Sequence, residues 1–174
     1  MTTIAIAGAT GAVGQQMLEC LKERNIKANL KLLASARSKG KEIEGHIVEE
    51  LTKESFQGVD YVLGATGNDI TKMWMPWAKE AGCIVVDNSS AFRLDKDVPL
   101  VIPEVNKEDI KNHHGLIANP NCATIMALVA LQALHKKYHI KRMIVTTFQA
   151  VSGAGVQGIE DLKNQIEDES IPSK

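Results

Sequence analysis

A cysteine behind a proline turn and three evenly spaced glycines are the residues of this sequence whose types and spacing could do chemistry. Asn119-Pro120-Asn121-Cys122 sets a thiol where a loop enters an apolar stretch that runs to about Lys137. Helix N-termini favour negative charge, so a cysteine in a first helical turn is suited to react as a nucleophilic thiolate. Taken alone, it would serve equally well as a packing residue. Gly8-x-x-Gly11-x-x-Gly14 follows the short apolar run Thr2 to Ala7 and leads into Val13, Met17, Leu18 and Leu21 at helical spacing. This is a variant of the dinucleotide fingerprint, in which glycines permit a tight turn, close approach of a pyrophosphate and close helix-sheet packing. The N–H groups at the helix start then face the phosphates. Gly8, Thr10, Gly11, Ala12, Val13 and Gly14 are the candidate cofactor contacts, and Thr66, in the turn Gly64-Ala65-Thr66-Gly67 after a later strand, joins them. Beside a nicotinamide site, Cys122 reads as a nucleophile. Cys20, on the flank of a helix, and Cys83, at a strand start, read as packing residues.

The second strand, Leu30 to Ala34, ends without the Asp or Glu that would take the ribose 2′-hydroxyl of NAD. It offers Ser35, Arg37 and Ser38 instead. A cation flanked by hydroxyls suits a 2′-phosphate, so the expected cofactor is NADP. An exposed basic loop that also carries Lys39 and Lys41 is the plainer alternative.

These residues need a scaffold of alternating strands and helices. Further strands are expected at Tyr61 to Leu63 and Cys83 to Val86, with a helix from Asn68 to Ala81 that Pro76 should kink or restart. Such alternation requires parallel pairing, hence an α/β fold: a Rossmann-like doubly wound parallel sheet, followed by the start of a second α+β catalytic domain. The joint is expected near residues 118 to 124, dividing the chain into a cofactor domain, 1–121, and the beginning of a catalytic and dimerisation domain, 122–174. The helix from Cys122 is apolar nearly all round and should be buried. Ile140 to Val151, dense in β-branched residues, reads as a long strand, followed by a polar helix to about Glu169. Ser170 to Lys174 resembles a loop cut open.

Bulk properties narrow the partners. The 174 residues carry a net charge of −1 with no block of like charges, which argues against nucleic acid or an anionic membrane surface and favours a small-molecule substrate. The longest nearly apolar stretch, Ala123 to Leu134, is too short to span a membrane. An N-terminus without a basic leader and three widely spaced cysteines read as a cytoplasmic protein with reduced thiols. His135 and His139 share an i, i+4 spacing but have no third ligand in register, so no metal is expected.

Together the motifs resemble the aspartate-semialdehyde dehydrogenase family. The resemblance is carried by Gly8 to Gly14, Ser35-Ala36-Arg37-Ser38, Val86-Asp87-Asn88-Ser89-Ser90-Ala91-Phe92-Arg93, Val98 to Asn106, Asn119 to Cys122, and Gln149-Ala150-Val151-Ser152-Gly153-Ala154-Gly155, in order along the whole chain. It implies NADPH-dependent reduction of L-aspartyl 4-phosphate to L-aspartate 4-semialdehyde, on the route to lysine, methionine and threonine, by a homodimer. It also implies that Cys122 is the nucleophile, that Gln149 positions the acyl group, that Arg93 and Asn121 bind the phosphate, and that the loop with Ser152 and Gly153 lies against the cofactor. The family often has Ser-Ala-Gly where this chain has Ala65-Thr66-Gly67. Its members are much longer, with a histidine base and a substrate-binding arginine in the further portion, so the resemblance implies an N-terminal fragment that is inactive by itself. A related N-acetylglutamyl-phosphate reductase would surround its cysteine with a different motif. A noncatalytic nucleotide-binding fragment is the remaining alternative.

Overall fold

The computed structural model describes residues 1–168, 170 and 172, the side chains of 156 and 157 excepted. The chain divides into two compact units, Met1–Lys137 and Tyr138–Lys174.

In the first unit the order is β1 (Thr3–Ala7), α1 (Ala12–Glu23), β2 (Asn29–Ala34), β3 (Glu42–Ile43), β4 (His46–Glu50), β5 (Tyr61–Gly64), α2 (Asn68–Glu80), β6 (Ile84–Asp87), α3 (Pro103–Asn106), β7 (Leu116–Ala118) and α4 (Cys122–Tyr138). The seven strands form one sheet, ordered β3-β4-β2-β1-β5-β6-β7, parallel except for the β3–β4 hairpin. Strand order reverses between β1 and β5, whose registers align Ala7 with Gly64. Loops at such a switch point open a crevice at the carboxyl ends of the strands. This is the Rossmann-like α/β fold expected from the sequence.

Strands buried on both faces read as unbroken apolar runs rather than alternating ones, and β1 does. Its alternate side chains feed two cores. Ile6 joins Leu32, Val48 and Leu18 of α1 on one face, while Ala5 and Ala7 join Leu33, Val62, Val85 and the α2 residues Trp74, Met75 and Ala78 on the other. Trp74 is fully buried and stacks on Phe56 with ring centroids 5.7 Å apart. This anchoring carries α2 through Pro76 as one continuous helix, where the sequence suggests a kink or restart.

Three further differences have physical causes. The hairpin β3–β4, unexpected in a Glu- and Lys-rich stretch, turns on Glu44 and Gly45, both at positive φ, and is held by pairing of β4 with β2. Helix α4 forms where expected but contains no buried residue. Its half-buried row, Ile125, Leu128, Leu131 and Gln132, covers one side, and Met126, Val129 and Leu134 face solvent. Ile140 to Val151 is not a strand. Residues 139–150 carry no regular structure, because β-branched composition favours an extended chain only where a neighbouring strand supplies the hydrogen bonds, and none of the described residues does.

The second unit continues from this segment into a short 3₁₀ turn at Val151–Ala154 and α5 (Gly155–Glu167). The expected helix end at Glu169, and Ile171, Ser173 and Lys174 of the expected terminal loop, lie outside the described residues.

Candidate functional site

Parallel pairing brings the loops after β1, β2, β5, β6 and β7 to one edge of the sheet, and every candidate residue of the first unit lies on them or in the first helical turn that follows. The glycine turn comes first. Gly8, at φ +94°, donates its N–H to Leu33 O at 2.8 Å, and Gly11 N–H closes the turn on Gly8 O at 3.0 Å. A Cβ on Gly8 would stand 2.5 Å from Ala65 O, and one on Gly14 would stand 2.3 Å from Gly8 O. Both glycines are therefore demanded by the protein's own packing. Gly11 is different, because a Cβ there would meet only Gly8 O at 3.4 Å. The space it leaves open lies outside the turn, where α1 begins with no side-chain cap and no acidic residue in its first turn. An uncapped helix start with its N–H groups at hand suits a pyrophosphate. Thr10 is half-buried beside this turn, its carbonyl accepting from Gln15 Nε2 at 3.1 Å, while Ala12 and Val13 are exposed.

The second loop turns at once after β2. Ser35 and Arg37 face solvent, whereas Ser38 is buried and its N–H donates to Ser35 O at 2.8 Å, so Ser38 shapes the turn. Arg37 makes no ion pair among the described residues, in contrast to Lys39, which sits 3.3 Å from Glu50. After β5, Thr66 directs its hydroxyl inward, where it accepts from Trp74 Nε1 at 2.9 Å and bonds Thr71 Oγ1 at 2.8 Å. The Ala65–Thr66 backbone is thereby fixed against Gly8.

The loops after β6 and β7 form the thiol side. Asp87 is fully buried and accepts from Ser89 N–H at 3.0 Å and Ser89 Oγ at 2.6 Å, which bends the chain into the Asn88–Arg93 loop. Arg93 is half-buried, donating from Nε to Asn119 O at 2.8 Å and from Nη2 to Asn88 O at 2.9 Å. Asn121 Oδ1 accepts from Ala123 N–H at 3.0 Å and Thr124 N–H at 3.4 Å, so Asn121 caps α4. Cys122 follows at the first helical position, exposed. Asn88 and Asn119 are absent from the sequence-derived candidates. The signal was their position, each directly after the end of a strand on the crevice side.

The three thiols are unlike. Cys20 is exposed on α1, while Cys83 is buried with Sγ 3.2 Å from Val59 O. Burial pushes the Cys83 thiol up, and the charge of Asp60 adds to it. The folded state thus holds this proton more tightly than the unfolded chain does. Its contribution to stability is fully present below the ordinary thiol range and is lost as pH rises through the raised value. Cys83 is expected to be alkylated last of the three in mass-spectrometric time courses, and Cys83→Ala should flatten the alkaline end of the melting-temperature profile. Equal labelling of Cys83 and Cys20 in the folded protein would contradict this.

Gln149, Ser152 and Gly153 belong to the second unit. Gln149 is exposed, with Oε1 accepting from Thr147 Oγ1 at 3.1 Å. Ser152 and Gly153 are exposed in the 3₁₀ turn before α5. Among the described residues no helix is long and apolar enough to cross a membrane, and no cluster of three or more His, Cys, Asp or Glu could hold a metal.

Comparison with known proteins agrees with this architecture. The family model for the semialdehyde dehydrogenase NAD binding domain matches residues 3–113, and that for the semialdehyde dehydrogenase dimerisation domain matches 131–173. An aspartate-semialdehyde dehydrogenase of Aquifex aeolicus is 51% identical over 170 residues, covering 93% of this chain and 50% of the relative. Among solved structures, aspartate semialdehyde dehydrogenase II of Vibrio cholerae, complexed with ASA, superposes with a TM-score of 0.87 at 44% identity, covering 100% of this chain and 55% of that one. The Candida albicans enzyme with NADP has a TM-score of 0.75 at 30% identity, covering 94% and 55%. The chain spans about half the length of the curated relatives it matches. It belongs to the semialdehyde dehydrogenase family.

Proposed function

We propose that this chain supplies the NADP-binding and thiol-bearing part of an aspartate-semialdehyde dehydrogenase, which reduces L-aspartyl 4-phosphate to L-aspartate 4-semialdehyde. The observation that carries the reading is the single sheet edge, on which the glycine turn, Arg37, Arg93 and Cys122 all lie. The names of the relatives, and the NADP and ASA that two of them hold, support the same chemistry. Residues 1–121 serve as the cofactor domain and 122–174 as the start of a catalytic and dimerisation domain, in a cytoplasmic homodimer working on the route to lysine, methionine and threonine.

The residues fit the dinucleotide. Gly8 to Gly14 and the start of α1 would hold the pyrophosphate, Arg37 and Ser35 the 2′-phosphate with Ser38 shaping their turn, and the Thr66, Ser152 and Gly153 segments would line the remainder. Cys122 Sγ attacks the acyl carbon, the carbon–oxygen bond to phosphate breaks, and the leaving phosphate is received by Arg93 and the Asn121 amide, giving a thioester. Gln149 holds the carbonyl oxygen as it gains charge. NADPH, when bound, supplies the hydride that reduces the thioester to the aldehyde and returns the thiolate.

Titration with NADP and NAD tests the cofactor half. Arg37→Asp is expected to cost about 1.5–3 kcal/mol of NADP affinity, a loss of roughly tenfold or more, with NAD binding little changed. An unaltered NADP affinity in this variant would remove the assignment. On the thiol side, Cys122 is expected to label faster than Cys20 at neutral pH.

A further inference from the structure

We propose that Asn88 and Asn119 are positioning residues, which lock the Cys122 turn and Arg93 into one rigid unit at the end of β6. The inference rests on reading Cys122 as the nucleophile.

The geometry is a closed ring. Asn119 Nδ2 donates to Asn88 Oδ1 at 2.6 Å, so the two side chains join the loops after β6 and β7 directly. Arg93 joins the same two residues a second time, through the backbone carbonyls of Asn88 and Asn119. Each loop is also pinned to the sheet, Asn88 N–H to Gly64 O at 3.1 Å and Asn119 N–H to Asp87 O at 2.8 Å. From Asn119 the chain reaches Cys122 through Pro120, which is buried and rigid in φ, and Asn121, which is committed to capping α4. No residue between the ring and the thiol is left to move independently, so the place where α4 starts is set by the ring.

The ring also decides what Arg93 has to offer. Nε and the Nη2 hydrogen beside it form the side-on fork of a guanidinium, and both are spent on carbonyls. The Nη1 hydrogens and the second Nη2 hydrogen remain, an end-on pair aimed away from the two carbonyls. Arg93 thus receives a phosphate end-on while its other edge braces the loop. A lysine, a point charge without a fork, could not do both.

Loss of the side-chain bond should let Cys122 drift out of the first helical turn and forfeit the field of α4. The test is the ratio of Cys122 to Cys20 iodoacetamide labelling across pH 7 to 9 in the full 174-residue chain, with both rates also read separately because Cys20 lines a groove with Asn88. Asn88→Leu, which keeps the size but removes the acceptor, is expected to lower the ratio about fivefold near neutral pH through a slower Cys122. Asn88→Asp, which restores the acceptor, should bring the ratio back within about twofold of wild type. Should Asn88→Leu melt early, Asn88→Ala removes the same bond without added bulk and is read the same way. An unchanged ratio in a folded Leu or Ala variant would overturn the proposal, as would failure of Asp to rescue. A wild-type Cys122 no faster than Cys20 would instead sink the nucleophile reading itself, so the two failures are distinguishable.

Discussion

Gly14→Ala is expected to destabilise the first unit by about 3 kcal/mol or more, lowering its melting temperature by roughly 6–12 °C. In an ordinary helix the change would stabilise, since alanine is the better helix former by about 1 kcal/mol. Here the new Cβ would stand 2.3 Å from Gly8 O and 2.7 Å from Ala9 Cα, backbone atoms that no rotamer change can move aside. The clash must lift α1 from the sheet or open the turn, and it outweighs the gain in propensity. Gly11→Ala makes the informative contrast. Its Cβ has room, so stability should fall by less than about 1 kcal/mol, the loss of a glycine at a helix N-cap. NADP affinity should drop at least tenfold, because the methyl occupies the approach of the pyrophosphate. Thermal melts and cofactor titrations of the two variants read these effects separately. Equal melting temperatures for both would show that α1 docks more loosely than the distances imply.

The second large effect concerns assembly. The isolated 174-residue chain is expected to self-associate and to show negligible reductase turnover. Apolar side chains that ordinarily seek cover face solvent on α4, among them Met126 and Val129, and Phe148 in the second unit is 98% exposed. Burying about 800 Å² of such surface would favour association by an upper estimate of roughly 20 kcal/mol, against roughly 4–15 kcal/mol lost in bringing two copies together. On the chemical side, none of the first unit's histidines, His46, His113, His114 and His135, lies on the loops at the crevice edge with Cys122, and hydride chemistry needs a proton donor there. Light scattering and an NADP-linked assay test the two halves independently. A monodisperse monomer that turns over aspartate semialdehyde at the rate of a full-length relative would contradict both.

Much of the cofactor side was legible because local signals and the global fold agree there. The run Thr2 to Ala7, the glycine spacing and the helical row from Val13 each specify the same strand-turn-helix unit, and β1, Gly8 and α1 follow within one or two residues. Illegible features were those set by partners distant in sequence. The β3–β4 hairpin exists through its ladder to β2, which no pattern within residues 42–50 announces. At 140–151 the local composition was right for a strand, and the pairing that would make it one is missing from the described residues. Cys122 and Arg93 could be named from the sequence, whereas Asn88 and Asn119 had only their place after a strand end to mark them, since their importance lies in meeting each other across 31 positions.

The two ends of the sheet bear on how any assembly grows. At one end β3 has only two residues, and at the other β7 has three and is bridged by Leu100, so neither border presents a long row of unpaired backbone groups. Borders this short give another chain little to extend by strand addition. Copies brought together by their apolar helices therefore gain little by joining their sheets, and the Rossmann sheet itself should not seed fibres.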